Sequence, residues 1–178
     1  MKIGVNGWVS GLRRIASPNC DARPPGTMID MLVIHNISLP PGEFGGQAIA
    51  RLFTNVLDTE AHPYYAQLKG VKVSAHFLIR RTGEIVQFVP CAKRAWHAGA
   101  SLWQGRTACN DFSLGVELEG SDDVPFSDQQ YAALVRLTRR LKRTYPIRHI
   151  VGHSAIAPGR KTDPGACFDW PRYLARVK

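Results

Sequence analysis

Residues 31–35 read MLVIH, four apolar residues followed by a histidine. An apolar run this short, stopped by the Gly- and Pro-rich stretch NISLPPGEFGG at 36–46, reads as a buried strand that hands His35 to a loop. HIVGH at 149–153 repeats the pattern and ends on His153. Between them, SAHFLIRRTGEIVQFVP at 74–90 reads as two strands around a turn at 81–83, and SLGVELEG at 113–120 as another strand. Helical spacing appears in QAIARLFTNVL at 47–57. It recurs after Ser127, where Gln130 completes a capping-box pattern ahead of Tyr131, Leu134, Val135, Thr138, Leu141 and Tyr145. Pro146 closes that helix, and a short last one starts near Asp169 or Pro171. Strands interleaved with helices predict an α/β or α+β fold with one central sheet, a single domain over residues 1–178.

The 178 residues suffice for one full core and are short for two. No apolar run approaches the roughly 18 residues of a membrane span, so no membrane partner is expected. The first 21 residues are broken by Gly4, Asn6, Gly7, Ser10 and Gly11 and carry no sustained apolar core. They read as no export signal, and a cytoplasmic location is expected. Cys20, Cys91, Cys109 and Cys167 are scattered without a CxxC pair and read as free thiols. The net charge of +9 is concentrated in RLTRRLKRTYPIR at 136–148, which reads as the solvated face of a helix. No basic–aromatic interleaving or helix-turn-helix pattern supports nucleic-acid binding. An anionic substrate is the other use for such a charge.

The run HSAIAPGRKTDPG at 153–165 brings His153, Lys161 and Asp163 together. With His35 they make a set of two imidazoles and one carboxylate, which leaves a metal such as Zn²⁺ with an open position. Glu117 and Glu119 share one face of their strand, opposite Val116 and Leu118. A carboxylate among apolar neighbours suits a general base, and Lys161 suits stabilisation of an oxyanion. Each residue also has a plainer reading: a packed strand-end histidine, a turn aspartate, a salt-bridged glutamate, a surface lysine. His76 reads as a core histidine or one that supports the site. The long stretch CAKRAWHAGASLWQGRTACND at 91–111 reads as a loop, with more ring side chains (Trp96, His97, Trp103) than a connector needs.

VIHNISLPPGEFGG, HPYY, SAHFLIRRTGEIVQFV, RAWHAG, CNDFSLGVELEG and GHSAIAPGRKTDPG together resemble the cytosolic N-acetylmuramoyl-L-alanine amidases of the AmpD type. The likeness runs from the SPN segment at 17–19 to FDW at 168–170. It implies an α/β fold with a mixed central sheet flanked by helices, shared with peptidoglycan recognition proteins. It also implies a zinc enzyme that cleaves (1,6-anhydro-)N-acetylmuramic acid from the L-alanine of a peptide stem during recycling of wall fragments. In some species such enzymes restrain β-lactamase induction. His35, His153 and Asp163 match the zinc ligands, Glu117 the catalytic glutamate, Lys161 the lysine that stabilises the transition state, and Tyr64 a supporting tyrosine. Asn36, Trp96 and His97 fall among the substrate contacts. Lys72 stands where arginine is frequent, and Ala108 replaces a basic residue, leaving Arg106 as its substitute for holding stem carboxylates. Ser154 and Ala155 stand where relatives often carry Cys and Asp. The expected partner is an anhydromuropeptide and the expected state a monomer. Two rivals remain at this level: a non-catalytic peptidoglycan-binding module, which would lack a ligand, and an amidase of intact cell wall, which would need an export signal.

Overall fold

The structure is a computed structural model and describes residues 1–177. Along the chain it forms β1 (Arg13–Arg14), β2 (Cys20–Ala22), β3 (Met31–Ile37), α1 (Ala48–Phe53) and a 3₁₀ helix (Pro63–Leu68). Strands β4 (Phe77–Ile79), β5 (Ile85–Gln87), β6 (Lys93–Ala95), β7 (Leu102–Trp103) and β8 (Arg106–Thr107) follow, then a 3₁₀ turn (Cys109–Asp111). The last elements are β9 (Ser113–Glu119), α2 (Asp128–Lys142), β10 (His149–Gly152), α3 (His153–Ile156) and α4 (Trp170–Val177).

Six strands make one mixed sheet in the order β1-β5-β4-β9-β3-β10. Only β4 and β5 pair antiparallel within it, as expected of a hairpin around Gly83; every other neighbouring pair is parallel. Central parallel strands must be covered on both faces, and all seven residues of β9 are buried. On one face Leu32, Ile34, Phe77, Ile79, Val116 and Leu118 pack against α2 and α4 through Leu134, Leu137, Leu141 and Tyr173. Each such fully buried aliphatic chain is worth about 1.5–3 kcal/mol of transfer free energy. On the other face Leu78, Val86 and Phe88 meet α1 and Tyr65, while Met31 and Val33 lie beneath Ala98, Cys109 and Phe112.

The period of two then decides the site. Residues of β3 with even numbers face α2, so His35 must leave the opposite face, and Glu117 of β9 leaves it too. The capping box of α2 is formed in both directions, Gln130 N–H to Ser127 Oγ at 3.1 Å and Ser127 N–H to Gln130 Oε1 at 3.0 Å.

Two local expectations are corrected. The stretch 91–111 is not a plain loop: it holds β6, which pairs with β2, and the β7–β8 hairpin. His153 does not end β10 but opens α3. The segment 58–73 contains a regular 3₁₀ helix, entered where the His62 side chain accepts the Tyr64 N–H. Strands of two or three residues leave no periodicity to read, which is why these pieces escape the pattern.

Candidate metal centre and catalytic cleft

His35 lies near the carboxyl end of β3, and His153 directly follows β10, the strand beside it. Asp163 comes from the loop that returns over α3. Gly152 makes that return fit, because a Cβ there would stand 2.7 Å from Pro164 Cδ. The carboxyl ends of parallel strands are where ligands sit in such sheets.

The three donor atoms form a small triangle. His35 Nδ1 is 3.1 Å from His153 Nδ1 and 2.9 Å from Asp163 Oδ2, and His153 Nδ1 is 3.1 Å from the same oxygen. Zn–N and Zn–O bonds of about 2.0–2.2 Å put neighbouring donors of a tetrahedral ion about 3.3 Å apart; this triangle is a slightly contracted face of that size. The chemistry of the donors agrees. His153 Nε2 is 3.1 Å from the Ala98 carbonyl oxygen, which can only accept. The neutral ring therefore carries its proton on Nε2 and leaves the Nδ1 lone pair free.

Electrostatics sharpen the set. Burial holds His35 below the usual imidazole range, which favours the neutral, ligating form. Burial pushes Asp163 upwards, but its contacts with His153 and His35 outweigh that and keep its carboxyl well below the ordinary value. Burial, followed by the charge of Asp163, drives Glu117 in the opposite direction, well above the carboxylate norm. Glu117 Oε2 is buried and has no hydrogen-bond partner within the protein. A buried carboxyl oxygen without a protein partner beside a donor triangle is placed to exchange a proton with something held there.

These groups line an open cleft of about 660 Å³ together with Asn36, Tyr64, Trp96 and Lys161. Asn36 is held by Asp122, its Nδ2 donating to Oδ1 at 2.7 Å. Of the remaining expected contacts, His97 lines the cleft, while Lys72 and Arg106 are placed elsewhere. Lys72 is exposed beside a separate hollow with Leu52, Leu57 and Leu68. Arg106, on β8, donates to Asp30 Oδ2 at 2.8 Å and stacks 3.5 Å from the Phe112 ring centroid, outside the cleft. Its guanidinium is already committed, so it does not substitute for a basic residue in the cleft. His97 lies in the floor behind His35, with one ring nitrogen against His35 and the other against Ser113, leaving neither for a substrate. Asp122 and Arg160 are among the cleft residues that carried no sequence signal of their own. Arg160 sits next to Lys161 and donates to the Ala98 and Ala100 carbonyls at 2.8 and 2.6 Å.

Two imidazoles and a low-pKa carboxylate within ligating distance, with a buried carboxyl beside them, suit metal-assisted hydrolysis, and the chain is a hydrolase with a candidate metal centre at the end of a mixed α/β sheet. A profile of the N-acetylmuramoyl-L-alanine amidase family matches residues 25–166, and the chain belongs to that family. It is 56% identical over 173 residues to the Escherichia coli K12 protein named 1,6-anhydro-N-acetylmuramyl-L-alanine amidase AmpD, covering 96% of this chain and 94% of that one. A crystal structure of a selenomethionine AmpD derivative superposes with a TM-score of 0.95 at 55% identity, covering 97% of this chain and 98% of that one. The Escherichia coli amidase AmiD, solved with the substrate anhydro-N-acetylmuramic acid-L-Ala-D-gamma-Glu-L-Lys, superposes with a TM-score of 0.61 at 31% identity, covering 86% of this chain and 60% of that one.

Proposed function

We propose that the chain is a zinc-dependent amidase that hydrolyses the bond between (1,6-anhydro-)N-acetylmuramic acid and the L-alanine of a peptide stem, in the cytosolic recycling of cell-wall fragments. One observation carries the reading: the His35, His153 and Asp163 donors converge within 3.1 Å of one another beside the unpartnered Glu117 oxygen. The names of the AmpD relatives support the anhydro sugar, and the AmiD complex supports a stem peptide as the other half of the substrate.

His35, His153 and Asp163 hold the zinc. When bound it supplies Lewis acidity, acidifying water and polarising a carbonyl. Glu117 takes the proton from the attacking water, a role for which a raised pKa is an advantage once the group is ionised. The same carboxyl then returns the proton to the leaving alanine nitrogen, so no covalent enzyme intermediate forms. Lys161, at the cleft rim, faces the negative charge that develops on the former carbonyl oxygen. Asn36, Trp96 and Tyr64 orient the sugar and the start of the stem. The +9 charge favours encounter with an anionic stem. No helix among the described residues is long and apolar enough to cross a membrane, and the enzyme acts as a monomer on a diffusing substrate.

Mass spectrometry of an anhydromuropeptide incubated with the protein tests the reading. Free stem peptide and anhydro-N-acetylmuramic acid are expected, and a chelator should prevent their release. Cleavage unaffected by chelator would remove the metal, and release of stem from intact sacculi at the same rate would favour a wall hydrolase.

A further inference from the structure

Both metal histidines lean on the same two residues. His35 Nε2 lies 2.9 Å from His97 Nδ1, and His153 Nε2 lies 3.1 Å from the carbonyl oxygen of the next residue, Ala98. That dipeptide is clamped in turn. Asn110 Oδ1 accepts from the His97 and Ala98 N–H groups at 3.1 and 2.8 Å. The Asn110 carbonyl accepts from the half-buried Arg23 guanidinium at 3.0 Å. Gly115 of β9 leaves room for the His97 ring, since a Cβ there would stand 2.5 Å from its Cγ. We propose that His97 and Asn110 are positioning residues for the metal centre, fixing through one clamped dipeptide the tautomer and orientation of both histidine ligands. The inference rests on the metal reading above.

The proton count gives it content. His35 offers a lone pair at Nδ1 only if its own proton sits on Nε2, pointing at His97. His97 must then accept at Nδ1, carry its proton on Nε2, and donate to Ser113 Oγ, 3.1 Å away. Were the His97 proton on Nδ1 instead, it would donate to His35 Nε2 and force the His35 proton onto Nδ1, into the middle of the donor triangle. One ring behind the site therefore decides whether one ligand can ligate. The Ala98 carbonyl does the same for His153 without ambiguity, and Arg160 donates to that same oxygen and braces it. Ligand-supporting hydrogen bonds of this kind typically carry 10–100-fold of metal affinity.

The test uses the full chain, ring-¹⁵N-histidine labelled, with zinc alone as the probe. Long-range ¹H–¹⁵N correlation of the zinc-loaded wild type should show His97 as the neutral Nε2–H tautomer. Chelator competition should show zinc binding weakened about 10–100-fold in His97→Phe and Asn110→Leu, and held within about threefold in Asn110→Asp, which keeps the accepting oxygen. If His97→Phe fails to fold by circular dichroism, His97→Asn replaces it. Its side-chain oxygen stands close to the place of Nδ1, so its affinity should fall less than that of Asn110→Leu. A His97 proton on Nδ1 in the loaded protein overturns the inference, as does zinc affinity within about twofold of wild type in Asn110→Leu together with the folded His97 variant. A wild-type chain that takes up no zinc removes the metal reading itself, and the inference with it.

Discussion

His35 and Glu117 are register partners, opposed across the parallel ladder of β3 and β9. Both side chains leave the same face of the sheet at the same height. Their separation is therefore set by the two central strands of the molecule, not by a loop. The next strand over, β10, pairs Gly152 with Ile34, which brings His153 alongside. Two candidate metal ligands and the candidate base are thus placed by three adjacent strand ends, and of this group only Asp163 depends on loop geometry.

The first prediction follows from that division. His35→Ala, His153→Ala and Asp163→Ala should each lose metal binding, and with it the thermal stabilisation that added zinc should confer on the wild type. A ligand present at 100 times its dissociation constant adds about 2.7 kcal/mol, so melting curves with and without added zinc should differ for the wild type and coincide for the variants. Full zinc occupancy by elemental analysis in all three variants would defeat the assignment.

Glu117 should show opposite signs in stability and in activity. Its folded pKa is raised by burial, so the native state holds the proton over a pH range in which the unfolded chain has already released it. The stability this group contributes is present in full below the ordinary glutamate value and is lost as pH rises towards the folded value. Glu117→Gln is neutral throughout. In the metal-free protein it should match wild type near pH 4 and exceed it at pH 7 to 8, each pKa unit being worth about 1.4 kcal/mol. Its turnover should fall by about 10²–10⁴ with the metal retained. Denaturant melts at the two pH values decide the first half, and a Glu117→Gln protein less stable than wild type at pH 7 would contradict it.

How much of this was legible beforehand follows from the same geometry. The strands of β3, β9 and β10 announce themselves as apolar runs, and alternation along SLGVELEG correctly put Glu117 and Glu119 on one face, away from Val116 and Leu118. The long helix was readable from its capping box. Lys72 and Arg106 were expected near the cleft because of what stands there in similar proteins, but charge in a sequence carries no direction. Arg106 is claimed by Asp30, a residue 76 positions away in the chain. His97 shows the converse: the resemblance put it among the substrate contacts, and it does line the cleft, but its two ring nitrogens are taken by His35 and Ser113. Pairings of that range are invisible to spacing, and short edge strands such as β2 and β6 leave no pattern at all.

Glu119 shares the face of Glu117 but is spent on structure. Its Oε1 accepts from Arg80 Nη1 at 2.9 Å and from the Gly45 N–H at 2.8 Å, its Oε2 accepts from the Arg81 N–H at 3.1 Å, and Arg80 also donates to the Gly46 carbonyl. The pair ties the loop 38–46 to the sheet. Glu119→Gln or Arg80→Met leaves a buried partner exposed to its full desolvation cost, and either should destabilise the protein by about 3–5 kcal/mol. Zinc affinity per folded molecule should not change. A loss of zinc with unaltered melting would show instead that the pair acts on the metal centre.

The last prediction separates the two basic positions by their surroundings. Lys161 lines the cleft, exposed and among the donors, while Arg106 stacks on Phe112 and pairs with Asp30 outside it. An ammonium that meets charge only as the tetrahedral oxyanion forms contributes to the transition state and little to the ground state. Lys161→Ala should therefore lower kcat and kcat/KM together, with KM nearly unchanged. Arg106→Ala removes a half-exposed ion pair and a ring contact. It should cost about 1 kcal/mol, roughly 2–4 °C of melting temperature for a chain of this size, and leave both kinetic constants near those of the wild type. Steady-state kinetics on a tripeptide-bearing anhydromuropeptide read both variants in one assay. A rise in KM confined to Arg106→Ala would mean that its guanidinium leaves Asp30 to hold a stem carboxylate. A rise in KM confined to Lys161→Ala would make that lysine an anchor for the stem and take it out of the chemical step.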